Sequence, residues 1–138
     1  MITALQKLKA ILDTIPATDL PLTFQYLESQ PASFPAGMVV SKGFTEVIFD
    51  SDNNIITETF EIKLIFPQDE SLAGHEKWVN LSDTIAAEFR KKTHQTLDGT
   101  AITMKVKQGL PPQFSEEYTQ PVIVFSIAIE TEIIKSIN

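Results

Sequence analysis

The sequence predicts one α+β domain over residues 1–138, a two-layer sandwich in which a mostly antiparallel sheet of about five strands carries two helices on one face. Three observations predict this fold. Apolar residues recur every three or four positions in two segments and every second position in the others. The segments follow the order α-β-β-β-α-β-β, and turn residues between neighbouring strands favour hairpins, which make strands antiparallel.

The first helix is predicted before Pro16, which ends it. Its apolar stripe consists of Ile2, Leu5, Leu8, Ile11 and Ile15. A short strand is predicted over residues 22–26, where apolar and polar residues alternate. We expect Phe24 and Tyr26, like Phe44 further on, to lie in the core.

A hairpin is predicted next, with arms over residues 38–50 and 55–67 and the turn "SDNN" between them. We expect the first arm to be broken or bulged at Gly43. The second arm has an apolar face that consists of Phe60, Ile62, Leu64 and Phe66. Its other face consists of Thr59, Glu61 and Lys63.

The second helix is predicted over residues 72–92, with an apolar stripe of Trp78, Leu81, Ile85 and Phe89. "LDGT", residues 97–100, is a predicted turn. The strand over residues 101–107 is expected to turn Ile102, Met104 and Val106 inward. The last strand, over residues 122–133, is the most apolar segment of the chain. We expect the helices to pack on the face of Phe60, Ile62 and Leu64.

Two segments are predicted to be long loops: "SQPASFPAG", residues 29–37, and "QGLPPQFSEEYTQP", residues 108–121. Long loops in compact domains are commonly functional, and these carry apolar residues with few charges. They supply the candidate interface residues Phe34, Leu110, Phe114 and Tyr118. Residues 109–120 are expected to be mobile in the free subunit and to become ordered against a partner.

Composition disfavours several classes of function. The chain has 18 acidic and 11 basic residues, a net charge of −7, so its field repels phosphate backbones and we expect no sequence-specific nucleic-acid binding. It has no cysteine, which excludes thiol catalysis. The N-terminal segment lacks the unbroken apolar core of a secretory signal, and no stretch is apolar enough to span a membrane. We expect a cytoplasmic protein without a membrane partner.

Residue motifs give no catalytic, cofactor-binding or metal site. "HEKWV" begins like the zinc signature H-E-x-x-H, but Val79 stands where the second histidine is required. His94 can serve as a base, yet at a helix C-terminus a histidine is commonly a favourable cap. The pairs Glu130 with Glu132 and Glu116 with Glu117 lack an enclosing cleft in the predicted fold. We therefore expect a non-enzymatic protein without a cofactor.

The order of elements resembles the tail terminator, or tail-completion, family of long-tailed bacteriophages and prophages. The resemblance is carried by the helix, the Pro-containing "ESQPASFPAG", the arm "TETFEIKLIFP", the helix "EKWVNLSDTIAAEFRKK", the "LDGT" turn and two final strands. The resemblance covers nearly the whole chain and rests on the order of elements and on hydrophobic patterning. It includes no signature of chemically required residues.

This resemblance implies a structural subunit that forms a ring, usually of six copies, which ends the tail tube and docks to the head connector. Its implied partners are other copies of the chain, the tail-tube protein and the head-connector protein. Its implied location is the host cytoplasm during assembly and then the virion tail. In such a ring the candidate channel-facing residues are Glu61, Lys63, Glu130 and Glu132.

Two other classes stay open at the level of sequence. One is a small α+β ligand-binding or enzymatic domain with a pocket between helices and sheet, which requires polar residues converging on an apolar face. The other is a dimeric adaptor of the same architecture. Tail-gene neighbours in the genome would favour the assembly role over both.

Overall fold

The structure is a computed structural model that describes residues 2–68, 71–97, 99 and 101–136. Its elements are α1 (Ile2–Leu12), β1 (Leu22–Phe24), β2 (Ala36–Ile48), β3 (Asn53–Pro67), α2 (Leu72–Phe89), a 3-10 helix (Lys92–His94), β4 (Thr103–Ser115) and β5 (Val122–Ser136). The predicted α+β order is confirmed. The predicted turn at 97–100 falls partly on residues 98 and 100, which lie outside the described residues.

One five-stranded sheet has the strand order β1-β2-β3-β5-β4. All neighbours pair antiparallel except β1 and β2, which run parallel because a long connection through residues 25–35 returns the chain to the same end of the sheet. The predicted hairpin between β2 and β3 is confirmed. β5 lies between β3 and β4, so β4 forms one edge of the sheet.

The main core lies between the helices and one face of the sheet, called here the helix face. Trp78, Ile85 and Phe89 of α2 belong to the same buried cluster as the predicted apolar face of β3. The rings of Phe66 and Trp78 stack with centroids 4.8 Å apart. Burial of these aromatic rings removes much apolar surface from water, so this contact fixes the helix layer on the sheet.

Three residues expected in the core lie elsewhere. Phe44, on β2, and Tyr26, in the connection after β1, are both exposed. Ile102 is also misplaced: it precedes β4, its side chain is 47% exposed, and its backbone N–H donates to the Glu132 carbonyl at 2.7 Å. Met104 is buried as expected.

The predicted irregularity at Gly43 is confirmed. The register between β2 and β3 shifts between Ser41 and Phe44, and Gly43 has a φ of +100°. Residues with a side chain rarely adopt this conformation, so a glycine is suited to the bulge.

The predicted long loop at 108–121 is wrong in its first half, because β4 continues to Ser115. Pro111 and Pro112 lie where the β4–β5 register shifts, between Leu110 and Gln113. A proline donates no backbone hydrogen bond, but an edge strand with a bulge tolerates it. Residues 109–120 are expected from the sequence to be mobile in the free subunit. As far as Ser115 they form instead a strand that pairs with β5.

A second, smaller cluster lies on the opposite face of the sheet, called here the open face. Met38, Ile65 and Val122 are buried there. The partly buried residues packed against them are Phe24, Phe34, Val40, Tyr118 and Val124. The loops at 25–35 and 116–121 thus cover one end of the open face and leave the rest uncovered by any described element.

Candidate functional site

A groove of about 310 Å³ lies on the open face between β3, β5 and the bulged part of β4. Five of the predicted interface and channel-facing residues line it: Glu61, Lys63, Leu110, Phe114 and Tyr118. The other lining residues are Pro111, Gln113, Ser115, Glu117, Val124 and Ser126. Residues predicted from two unrelated patterns, loop composition and strand alternation, therefore meet at one surface.

Strand alternation builds the floor of the groove. Ile62 and Leu64 turn into the main core, so Glu61 and Lys63 point to the open face. Lys63 pairs in register with Ser126 of β5. The Glu61 Oε2 lies 3.3 Å from Lys42 Nζ, so the positive charge of the lysine partly offsets the negative charge of the carboxylate.

Two predicted interface residues contact each other at one end of the groove. The rings of Phe34 and Tyr118 meet edge to face, with centroids 5.9 Å apart. Burial raises the pKa of the Tyr118 hydroxyl, and the nearby negative charge of Glu117 adds to this effect. Gln30 Nε2 donates to the Glu117 carbonyl at 3.0 Å. Phe34 and Tyr118 therefore fasten two loops together within one subunit.

Leu110 and Phe114 have a different environment. Both belong to the edge strand β4, and their side chains are 42% and 68% exposed. An exposed aromatic ring on an edge strand is available to another molecule, since nothing in the described chain covers it. Of the four predicted interface residues, these two keep the properties of contact residues.

Ile129 and Thr131 are buried on the helix face. Side chains alternate between the faces of a strand, so Glu130 and Glu132 point to the open face. Glu130 lies 2.9 Å from Lys107 Nζ and 3.5 Å from Lys105 Nζ. The hydrogen bond from Lys107 lowers the pKa of Glu130 most, burial opposes it, and the charges of both lysines lower it further. A carboxyl held in its charged form is unsuited to act as the general acid that a carboxylate pair needs.

His94 ends the 3-10 helix that follows α2. Its Nε2 lies 3.2 Å from Glu88 Oε1, and Lys91 Nζ lies 2.7 Å from Glu88 Oε2. The pKa of Glu88 is lowered, chiefly by the hydrogen bond from Lys91 and next by that from His94. The imidazole lines a small cavity of about 120 Å³ against α1. These contacts fit a histidine that ties the end of α2 to the following turn.

The incomplete zinc signature lies on the first turns of α2. His75 and Glu76 are exposed there, while Val79 is partly buried. Within residues 2–68, 71–97, 99 and 101–136 there is no group of three or more His, Asp or Glu side chains that could hold a metal ion. No helix in this described part of the chain is long and apolar enough to cross a membrane.

Sequence reasoning missed an exposed apolar surface at the end of the β2–β3 hairpin. Its large exposed side chains are Phe44, Val47, Ile48, Phe49 and Ile134. Ile48 is 83% exposed. The available signal was the run "VIF" at residues 47–49, which places apolar side chains on both faces of a strand just before its turn. A run of this kind in a strand that the core does not cover indicates a contact surface.

The eight predicted residues thus have four kinds of structural environment. Phe34 and Tyr118 hold loops, Glu61 and Glu130 form ion pairs on the open face, and Leu110 and Phe114 are exposed on an edge strand. Lys63 and Glu132 complete the polar open face. In comparisons with known proteins, no family model matches this chain and no curated protein is similar enough in sequence to count as a relative.

Proposed function

We propose that this protein is a non-enzymatic structural subunit of phage or prophage tail assembly, which forms a ring that ends the tail tube and docks to the head connector. The observation that carries the proposal is the exposed edge strand β4 with Leu110 and Phe114 beside the open-face groove. A ring subunit needs lateral contact surfaces on a rigid framework, and it needs no active site. The tail resemblance of the sequence supplies the biological setting.

The open face suits the wall of a channel. It carries Glu61, Lys63, Glu130 and Glu132 in adjacent central strands. Three of these four residues are acidic, but Glu61 pairs with Lys42 and Glu130 pairs with Lys105 and Lys107, so the wall carries both signs of charge. The net charge of −7 of the whole chain disfavours adhesion of passing DNA. In this proposal the protein assembles in the host cytoplasm, becomes part of the virion tail, and contacts the tail-tube and head-connector proteins.

A capping assay tests the proposal. Purified tail-tube protein from the same genome is polymerised with and without this chain, and tube length is measured by electron microscopy. We expect the wild-type chain to stop elongation and Phe114→Ser to need about thirtyfold more protein for the same effect, since loss of a central aromatic contact costs about 2 kcal/mol.

Leu72→Ser is the matched control, because Leu72 is 73% exposed and belongs to the first turn of α2 and not to the sheet. It should cap like the wild type. The variant Tyr118→Ser is a poor test, since its ring packs on Phe34 and its loss would disturb the subunit itself. Tubes that grow unchanged in the presence of the wild-type chain would contradict the assembly role and favour a ligand-binding domain or a dimeric adaptor.

A further inference from the structure

A groove of about 430 Å³ lies where the end of α2 meets the first residues of β4. It is called here the basic groove, because no acidic residue lines it and four cations do: Arg90, Lys91, Lys92 and Lys105. The whole chain has 11 basic residues and a net charge of −7. A large share of the positive charge of an acidic protein therefore meets at one place.

The basic groove is built from two elements that hydrogen bonds tie together. Arg90 caps the end of α2, and its backbone N–H donates to carbonyls of the last helical turn. After the 3-10 helix, the Gln95 carbonyl accepts a hydrogen bond of 2.6 Å from the backbone N–H of Met104 in β4. Phe89 and Met104 line the groove, yet they are only 2% and 4% exposed and belong to the main core. The basic groove therefore has a rigid floor, which keeps the entropic cost of binding low.

Two carboxylates near the basic groove offset only part of its charge. Lys91 Nζ lies 2.7 Å from Glu88 Oε2. Lys105 shares the carboxylate of Glu130 with Lys107, at 3.5 and 2.9 Å. Each of these two carboxylates is thus already engaged by lysine, and neither lines the groove.

Arg90 and Lys92 are the cations of the groove that no carboxylate offsets. Both residues are exposed, and neither forms an ion pair within the described part of the chain. The negative end of the helix dipole favours cations directly after α2. This effect does not explain Lys105, which comes from β4, or the lack of any acidic residue in the lining. Because like charges repel, an anion bound among these cations is stabilised.

The lining favours carboxylates on a protein segment over the phosphates of a nucleic acid. Single strands are bound by cations together with exposed aromatic side chains, and the one aromatic residue of the lining, Phe89, is nearly fully buried. The net charge of −7 repels a long phosphate polymer. Val106 is partly exposed in the lining and suits an apolar side chain of a short acidic segment. Gln95 and Thr103 add side chains that hydrogen-bond to a peptide backbone.

We propose that the basic groove binds an acidic segment of a partner protein. Carboxylates of the segment pair with Arg90, Lys92 and Lys105, and an apolar side chain of the segment packs on Val106. Arg90 suits this role because a guanidinium binds a carboxylate through two parallel hydrogen bonds. The proposal goes beyond the tail role and does not depend on it, since a partner of this chemistry can belong to any assembly.

Binding of a labelled peptide tests the proposal. The probe is a fluorescein-labelled peptide that repeats Glu-Glu-Leu, and its control has Gln at every Glu position. Fluorescence anisotropy is measured with the full chain at low salt. We expect the acidic peptide to bind at least about tenfold more tightly than the Gln peptide, and added salt to weaken it because exposed charges are screened. Equal binding of the two peptides, or no binding of the acidic one, would overturn the proposal.

Two double variants locate the binding. Arg90→Gln with Lys92→Gln should weaken binding of the acidic peptide at least about tenfold, because both unpaired cations are lost. Lys42→Gln with Lys77→Gln removes the same charge from β2 and from the first half of α2, outside the lining of the groove, and should change the affinity less than about twofold. Lys105→Gln, on the β4 side of the groove, should also weaken binding. Equal losses in the two double variants would show attraction to net charge alone and contradict the groove.

A labelled single-stranded oligonucleotide of thymidines separates the two kinds of polyanion. We expect it to bind more weakly than the acidic peptide. Tighter binding of the oligonucleotide that is lost in the Arg90→Gln, Lys92→Gln variant would overturn the proposal in favour of a nucleic-acid site. Thermal melting of each variant confirms that the chain is folded. All these measurements use the isolated chain, so their outcome is decided separately from that of the tube-capping assay.

Discussion

Phe89 is the residue whose position most directly tests the packing of α2. Its side chain is 2% exposed and belongs to the main core between helices and sheet. Phe89→Ala should reduce the free energy of unfolding by about 3–5 kcal/mol, because the lost ring leaves a cavity that a packed core fills only partly. Urea unfolding followed by circular dichroism measures this change. Leu72→Ala on the same helix should change stability little, and an unchanged midpoint for Phe89→Ala would contradict the described packing.

Glu130 makes stability depend on pH at the acidic end. Its pKa is lowered in the folded protein, so its contribution is present above the unfolded pKa of about 4.3 and is lost as pH falls through the folded pKa. Glu130→Gln should therefore be less stable than the wild type at pH 7, by up to about 1 kcal/mol, because the lysine partners are exposed. Thermal melts from pH 7 to 3 should show this difference closing below about pH 4. A constant difference across that range would exclude the Lys107 contact as its cause.

At the level of elements, the bulge of β2 depends on one backbone conformation. Gly43 has a φ of +100°, and a Cβ added there would meet nothing within 4 Å, so only the backbone opposes a side chain. Gly43→Ala should cost about 1–3 kcal/mol of stability. Gly109→Ala is the matched control, since a Cβ on Gly109 also meets nothing within 4 Å and its φ lies outside the positive region. Similar melting of the two variants would show that the bulge tolerates an ordinary residue.

β4 shows where sequence patterns stop being sufficient. Its first residues, around Met104, alternate like a strand, whereas "QGLPPQFS" reads as a loop because glycine and two prolines interrupt the period. Pairing with the strongly apolar β5 and the freedom of an edge position outweigh that local preference. Local propensity therefore predicts secondary structure poorly in an edge strand that pairs with a strongly apolar neighbour on one side and faces solvent on the other.

For the whole molecule, the hydrophobic period was sufficient to predict the fold class, both helices and the buried face of β3, because core burial imposes that period. Strand order was not predicted, since the insertion of β5 between β3 and β4 depends on contacts far apart in sequence. The candidate site was predicted in part. Glu61 and Lys63 follow from alternation, while the ring contact of Phe34 with Tyr118 and the exposed hairpin end require knowledge of which strand ends the helices leave uncovered.

The central place of β5 has a consequence for synthesis on the ribosome. β4 is translated before β5, yet β5 is its strand neighbour in the sheet, and β3 pairs with β2 on one side but finds its other neighbour only in β5. A nascent chain that ends before Val122 therefore leaves one side of β3 unpaired and leaves β4 without its strand neighbour. Folding of the sheet becomes a late step governed by contacts distant in sequence, which are slow to form. We expect such nascent chains to be bound by chaperones and to be cleaved readily by protease until β5 has emerged.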